Sequence, residues 1–376
     1  MSLAGIAPPA TTRPHLLAFL GGLAACLLVL LAILPLADGA LPGVFAASLL
    51  LGVGFVLLDF GFAGSFRALL ERGDGRMTGA SFAAPAVAAL VILPMAGLAE
   101  GYGRFVAPVG LSLVLGAALF GIGMQIASGC GSGVLVAAGQ GSRRMAVALP
   151  FFCVGGVVGS LLLPAALRLP SLGTLDLVAW FGPWGGLLVT EALLALAAAA
   201  VLRGAWPGWS ALRRAAIIGA LAALLFLASG MPWGITTGLT LWAAQPAQWL
   251  GADLMAHEFW QVPWAQAALA GPLLASHSSL ANLGLMLGAF LAAAARGQLR
   301  HGVALGWRGA AGAALGGLLM GIGAQLSFGC NIGAFLGGAS SASLHGLAWF
   351  LAVLPGCWLG IRLRAAFGLQ RRSTDP

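Results

Sequence analysis

Ten apolar stretches divide this chain, each fifteen residues or longer and nearly free of charge. A membrane helix needs about 20 apolar residues to cross roughly 30 Å of hydrocarbon. The stretches are His15–Leu36, Val44–Leu58, Ser81–Ala99, Phe105–Ala127, Met145–Leu167, Val178–Leu202, Ala215–Ser229, Ser279–Ala295, Gly309–Ser327 and Leu344–Leu363. Only 7% of the residues are charged and 60% are hydrophobic, whereas a soluble domain carries about 25% charged residues. That excludes a soluble globular fold, and the same numbers exclude intrinsic disorder. The expected fold is all-α, a polytopic membrane protein of about ten spans with the lipid bilayer as its surroundings. The first stretch is too long for a signal peptide and only Arg13 precedes it, so it is read as a retained span.

Arginine placement gives an orientation. All 18 basic residues are Arg. With the N-terminus in the cytoplasm, sixteen fall inside and only Arg104 and Arg168 fall outside. Positively charged residues accumulate on the cytoplasmic side of membrane proteins, so both termini are expected there. This bias accounts for the +8 net charge and removes nucleic acid as a partner. The segment 230–278 then lies on the outer side. Its tryptophans at 233, 242, 249, 260 and 264 suit a belt at headgroup level.

Self-comparison finds a duplication. Residues 121–133 read GIGMQIASGCGSG and residues 321–333 read GIGAQLSFGCNIG, with no gap at an offset of 200. Seven of the 13 positions are identical, including Gln125 with Gln325 and Cys130 with Cys330. Five spans in each half invert the second copy relative to the first. The expected organisation is a first repeat over 1–172 and an inverted second repeat over 173–376. The cysteines then fall in spans four and nine. Gly129, Gly131 and Gly133, with Gly329 and Gly333, make each motif a helix break inside its span. Inverted repeats with broken helices bind substrates near the midplane, and irregular backbone at membrane depth must line a cavity or lie inside protein. GFAGSFR (residues 61–67) and GMPWGITTG (residues 230–238) form a weaker pair after spans two and seven.

A cysteine at such a break presents a soft thiol. The backbone N–H groups after it, and the positive end of any half-helix starting there, attract anions. The combination suits a small anion with a soft sulfur or selenium atom. The candidate binding residues are Cys130, Cys330, Gly129, Gly329, Gly131, Ser132 and Asn331, with Gln125 and Gln325 bracing the breaks. Ser128 and Ser327 are further candidate donors. No Arg or Lys is needed along the path. A disulfide between Cys130 and Cys330 is the weaker alternative. Two thiols without a nearby His or carboxylate make a poor metal site, and CxxC, HExxH and P-loop spacings do not occur. No catalytic residue, metal or cofactor is therefore expected. Cys26, Cys153 and Cys357 sit in ordinary apolar helix and read as core. Glu191 reads as a protonated structural residue, with proton coupling as its alternative. Asp59 reads as ordering the Gly61–Ser65 turn or pairing with Arg67, Asn282 as interhelical glue, and the histidines at 257, 277, 301 and 345 as interfacial.

The twin GC motifs resemble those of the YeeE/YedE family of bacterial inner-membrane proteins, and the GFAGSFR and PWGITTG segments are similar to that family too. The resemblance runs from span two to span ten. It implies a sulfur-compound transporter of the inner membrane, with thiosulfate as substrate, in which motif cysteines line a narrow path and pass the anion by thiol contacts. Cys130 and Cys330 match those positions. Thiosulfate-carrying members have a third cysteine near the entrance, where this chain has Ala63. Other branches of the family are tied to selenium metabolism or, as SoxT-type members, to sulfur oxidation. A membrane sulfur carrier is the alternative function: a persulfide on Cys130 or Cys330 would pass to a cytoplasmic sulfur-acceptor protein. A sensor of sulfur status ranks third.

Overall fold

A computed structural model describes residues 14–36, 38–299 and 305–369. Arg13, Arg300, His301, Arg371 and Arg372 lie outside the described residues. Among the described residues, ten helical segments are long and apolar enough to cross a membrane. The chain is therefore a multi-pass, mostly helical membrane protein.

The first span is α1 (Leu16–Ile33). The second is α2 (Leu41–Leu58), which continues after Asp59 as α3 (Phe62–Arg72). The third is α4 (Arg76–Ser81) with α5 (Ala83–Leu98). Helix α6 (Leu111–Ala127) and the short α7 (Gly131–Gly139) make the fourth, and α8 (Arg143–Ala166) the fifth. Then come α9 (Leu177–Leu202) and α10 (Trp209–Ser229), followed by α11 (Thr236–Trp249) and α12 (Pro263–Ala270). The last three spans are α13 (His277–Ala295), α14 (Trp307–Leu326) with a π-helix at Asn331–Gly338, and α15 (His345–Leu363). The fourth span starts six residues later than Phe105, because Pro108–Gly110 (β1) pairs antiparallel with Ser171–Thr174 (β2), Pro108 opposite Thr174.

Packing partners repeat as the sequence does. α2 packs on α13, and α5 on α10; α8 packs on α14, and α6 on α15; α1 packs on α13, and α5 on α9. Moving each member five spans along turns one contact of every pair into the other. α6 and α14 cross at the centre. A methyl at Gly123 would meet the Gly316 carbonyl at 2.5 Å, and one at Gly323 would meet the Gly116 carbonyl at 2.5 Å. Small residues allow such backbone approach in lipid. The first glycine of each GIG faces elsewhere: Gly121 abuts the Val353 carbonyl of α15, and Gly321 the Phe152 carbonyl of α8.

Two sequence expectations change here. The 230–278 segment is not all headgroup belt: Trp249 and Trp264 are exposed, but Trp233 and Trp260 are buried. Trp233 is folded inward because Gly230 (φ 75°) turns the chain after α10 and sends GMPWGITTG into the protein, where Thr236 begins α11. His345 is likewise buried rather than interfacial, with Nδ1 2.8 Å from the Ser343 hydroxyl. His277 does sit at an ion pair, 2.7 Å from the Asp38 carboxylate. Asn282 donates to the Ile235 carbonyl at 2.9 Å, joining α13 to the segment before α11.

Candidate functional site

Both GC motifs interrupt their helices. α6 ends at Ser128, which takes a left-handed conformation (φ 66°). The chain then extends through Gly129 to Cys130, the residue that caps α7. In the second copy Phe328 (φ 61°) and Gly329 (φ 145°) make the turn, and Cys330 caps the π-helix. The break in the first copy thus rests on Ser128, with Gly129 outside the left-handed region. Gly329 does need its freedom, since L side chains rarely reach that conformation.

The two breaks meet. A methyl built on Gly131 would lie 2.9 Å from Cys330 Sγ and 3.2 Å from its Cβ, so Cys330 presses on the first residue of α7. Cys130 Sγ lies 3.5 Å from the Ser132 hydroxyl, and Cys330 Sγ accepts from the Ile332 N–H at 3.4 Å. Both cysteines are free and at most 1% exposed. Beside Gly129 lies the Met145 sulfur, and beside Gly131 the Phe152 ring. Cys26, Cys153 and Cys357 are free and buried in the apolar core.

The glutamines brace neighbouring half-helices rather than their own breaks. Gln125 Nε2 donates to the Ala63 carbonyl at the start of α3 (3.1 Å), and Gln325 Nε2 to the Thr240 hydroxyl of α11 (3.1 Å). Ser128 and Ser327 are engaged as well. Ser128 Oγ accepts from Arg364 Nη1 at 2.9 Å. Ser327 Oγ donates to the Gly323 carbonyl at 2.7 Å and accepts from Trp349 Nε1 at 3.0 Å. These serines close off backbone groups at the helix ends.

Unsatisfied donors gather at other residues. Asn331 is fully buried, and neither atom of its amide has a hydrogen-bond partner. The Thr236 hydroxyl and the Trp233 indole N–H are also buried without partners. A methyl built on Gly333 would lie 3.9 Å from Gly234 Cα, which brings the segment before α11 near the start of the π-helix. An unpaired buried polar group costs about 1–3 kcal/mol, and most such groups in proteins are satisfied. Three residues with such groups thus lie near two helix N-termini. Sequence reasoning missed Thr236 and placed Trp233 in the headgroup belt. Their signal was the GMPWGITTG segment, whose Gly-Pro-Gly spacing reads as a loop.

An aromatic column closes the space beside these termini. Phe62 of α3 meets Phe335 of the π-helix edge-on at 6.1 Å, Phe335 meets Phe82 at 5.2 Å, and Phe82 meets Phe350 at 4.9 Å. Trp233 stacks edge-on against Phe55 at 6.0 Å.

Broken helices whose N-termini meet inside a multi-span bundle are an arrangement found in membrane transport proteins. A family described as Sulphur transport matches residues 59–359. That is most of the chain, which therefore belongs to this family, the YeeE/YedE sulphur-transport proteins. Among curated proteins, the probable transporter YedE of Escherichia coli K12 is 29% identical over 156 residues, 41% of this chain and 37% of that protein. The probable transporter YedE of Salmonella typhimurium LT2 is 31% identical over 146 residues, 38% of this chain and 35% of its own. The chain thus aligns with little more than a third of the length of these relatives.

Proposed function

We propose that this protein carries a small sulfur-containing anion, thiosulfate, across the bacterial inner membrane, with both termini in the cytoplasm and the halves 1–172 and 173–376 inverted about the site. The observation that carries this reading is the contact of Cys330 Sγ with the N-terminus of α7. It sets two thiols at adjoining half-helix starts. Thiosulfate has one soft sulfur and three hydrogen-bond-accepting oxygens. The thiols suit the sulfur. The backbone N–H groups at Gly131–Gly133 and Ile332–Gly333, with the donors of Asn331, Thr236 and Trp233, suit the oxygens. Neutral donors hold a divalent anion less tightly than a buried cation does, which favours passage over trapping. The aromatic column keeps the path dry between transfers, since narrow hydrophobic constrictions gate by dewetting.

Ala63 bears on substrate. It lies in the first turn of α3 and is buried beside Gln125, so the third thiol of thiosulfate-carrying relatives has no counterpart at that place. The two thiols at the adjoining half-helix starts then carry the transfer. The test is uptake of sulfur-labelled thiosulfate into cells lacking other sulfur importers, for wild type, Cys130→Ala and Cys330→Ala. Loss of uptake in either variant, with the protein still in the membrane, is expected. Uptake that survives both substitutions overturns the thiol path. No wild-type uptake, with a sulfur-mass increase on either cysteine, would favour a persulfide carrier serving a cytoplasmic acceptor. No uptake and no such mass would direct the search to selenium anions.

A further inference from the structure

The buried donors without partners are distributed unequally between the two copies of the duplication. Asn331, Trp233 and Thr236 are 0%, 3% and 6% exposed. The Asn331 amide, the Trp233 indole N–H and the Thr236 hydroxyl each lack a hydrogen-bond partner. The π-helix brings them into one neighbourhood. A methyl on Gly337 would lie 3.6 Å from the Trp233 carbonyl and 3.7 Å from Pro232 Cβ, and one on Gly333 would lie 3.9 Å from Gly234 Cα. The chain from Pro232 to Gly234 therefore runs beside the helix that Asn331 opens, and Thr236 follows two residues later.

The two glutamines fix which residues of the first copy correspond to these. Gln125 donates to the Ala63 carbonyl. Gln325 reaches the Thr236 carbonyl through one hydroxyl: Thr240 Oγ1 accepts from Gln325 at 3.1 Å and donates to Thr236 at 2.9 Å. Thr236 thus stands where Ala63 stands. The same shift sets Trp233 at Phe60 and Gly234 at Gly61, and the 200-residue offset sets Asn331 at Gly131. Phe60, Ala63 and Gly131 have no side-chain donor. Polar groups near the first break are already engaged. The Ser132 hydroxyl lies 3.5 Å from Cys130 Sγ. Arg144 donates to the Ala127 and Ile126 carbonyls at 2.8 and 2.6 Å, and Arg364 to the Gln125 carbonyl at 2.7 Å, so both cap the end of α6. What gathers on this side is sulfur: Cys130 caps α7, and Cys330 Sγ presses on Gly131, the first residue of that helix.

We propose that Trp233, Thr236 and Asn331 set specificity: they hold the oxygens of a divalent tetrahedral anion in one orientation, with its fourth atom turned to the two thiols at the start of α7. That the anion held is the anion carried rests on the transport reading. Thiosulfate puts its soft sulfur against the thiols. Sulfate, with the same charge and shape, fits the three donors but presents a hard oxygen to the sulfurs, so it competes and is held less well. A site built to hydrogen-bond a ligand discriminates strongly, because its buried groups stay unpaired when the matching atoms are missing. The duplication therefore supplies two alike helix breaks, and divergence between the copies gives the bound anion its direction.

The test measures binding of thiosulfate and of sulfate to the purified full-length protein by titration calorimetry, beside labelled thiosulfate uptake into proteoliposomes. Thr236→Val and Asn331→Leu should each weaken binding of both anions about tenfold, the loss of one hydrogen bond to a charged group. Thr236→Ser keeps the hydroxyl and should stay within about threefold of wild type. Cys130→Ser and Cys330→Ser should weaken thiosulfate while leaving sulfate within about threefold, a split between the anions that damaged packing would not produce. Ser132→Ala, in the first copy, should leave sulfate binding unchanged. Thr236→Val nearly preserves shape, so it reports even where Asn331→Leu fails to fold. Sulfate that does not bind wild type, or that binds Thr236→Val as tightly as wild type, overturns the proposal, and so does loss of sulfate binding in Ser132→Ala or Cys130→Ser. Binding of both anions that depends on Thr236 without any thiosulfate uptake would keep the oxygen site and defeat the transport reading. Cysteine-dependent uptake with sulfate binding indifferent to Thr236 and Asn331 would do the reverse.

Discussion

Substituting Gly131 by Ala tests the contact between the halves directly. The new methyl would stand 2.9 Å from Cys330 Sγ and 3.2 Å from its Cβ, where nonbonded heavy atoms prefer about 3.5–4.0 Å. Either the thiol or the start of α7 must therefore yield by roughly 0.5–1 Å. Overpacking of this kind costs about 1–3 kcal/mol. Replacing glycine by alanine in a helix returns up to about 1 kcal/mol, and Gly131 lies in the first turn of α7 with no positive φ to forbid it. The net expectation is a loss of roughly 0–3 kcal/mol. Uptake should fall much further, by tenfold or more, because the displaced atom is the thiol that receives the anion. The assay pairs labelled thiosulfate uptake in proteoliposomes with a thermal melt of the same preparation. Adding Cys330→Ala to Gly131→Ala removes the sulfur and should recover part of the melting temperature without recovering uptake, a non-additivity expected of touching residues. Wild-type uptake by Gly131→Ala would refute the reasoning, since the position of Cys330 would then be immaterial to transport.

Three further outcomes are expected. Thr236→Val removes a buried, unpartnered hydroxyl, so the melting temperature should hold or rise, by up to about 1 kcal/mol of stability, while uptake falls; a variant that transports normally would exclude Thr236 from the path. Phe335→Ala opens the aromatic column between Phe62 and Phe82 and should let unrelated small anions leak through vesicles that wild type keeps sealed, as a halide-flux assay would show. Partial burial raises the Asp176 carboxyl, but its ion pair with Arg104 (2.6 Å) and the Val178 N–H outweigh this and hold it below the usual carboxylate range; the pair's contribution is full above the unfolded value near 3.9 and is lost as pH falls through the lower folded value, so the melting temperature of wild type should drop in acid more steeply than that of Asp176→Asn.

The spans were legible because charge is so scarce that each Arg or Asp marks a boundary. The duplicated motif was legible because Gln and Cys recur at one offset, which glycine bias does not produce. Placing Cys130 and Cys330 in broken segments followed from the same residues. What the sequence hid was direction and reach. Nothing in GMPWGITTG distinguishes a surface loop from a chain turned inward, so Trp233 read as belt and Thr236 went unnoticed. Arg144 and Arg364 read as loop charges, because the topological bias accounts for any arginine near a span end. Their contacts with the last turn of α6 depend on how α8 and α15 pack around it, which no local pattern encodes. His345 misled for a related reason: it opens α15, a position usually at the headgroups, but here the preceding segment folds over it.

The glycine crossing of α6 and α14 has a mechanical consequence. With each backbone seated on the other's carbonyls at Gly123 and Gly323, neither helix can slide or swing without breaking this crossing. These two helices act as a fixed keel, and motion during a turnover belongs to the short segments hung from their ends. A cycle confined to such small parts needs little rearrangement. Its rate should then vary only shallowly with temperature and with the stiffness of the surrounding lipid, closer to the behaviour of a pore than of a carrier that rocks.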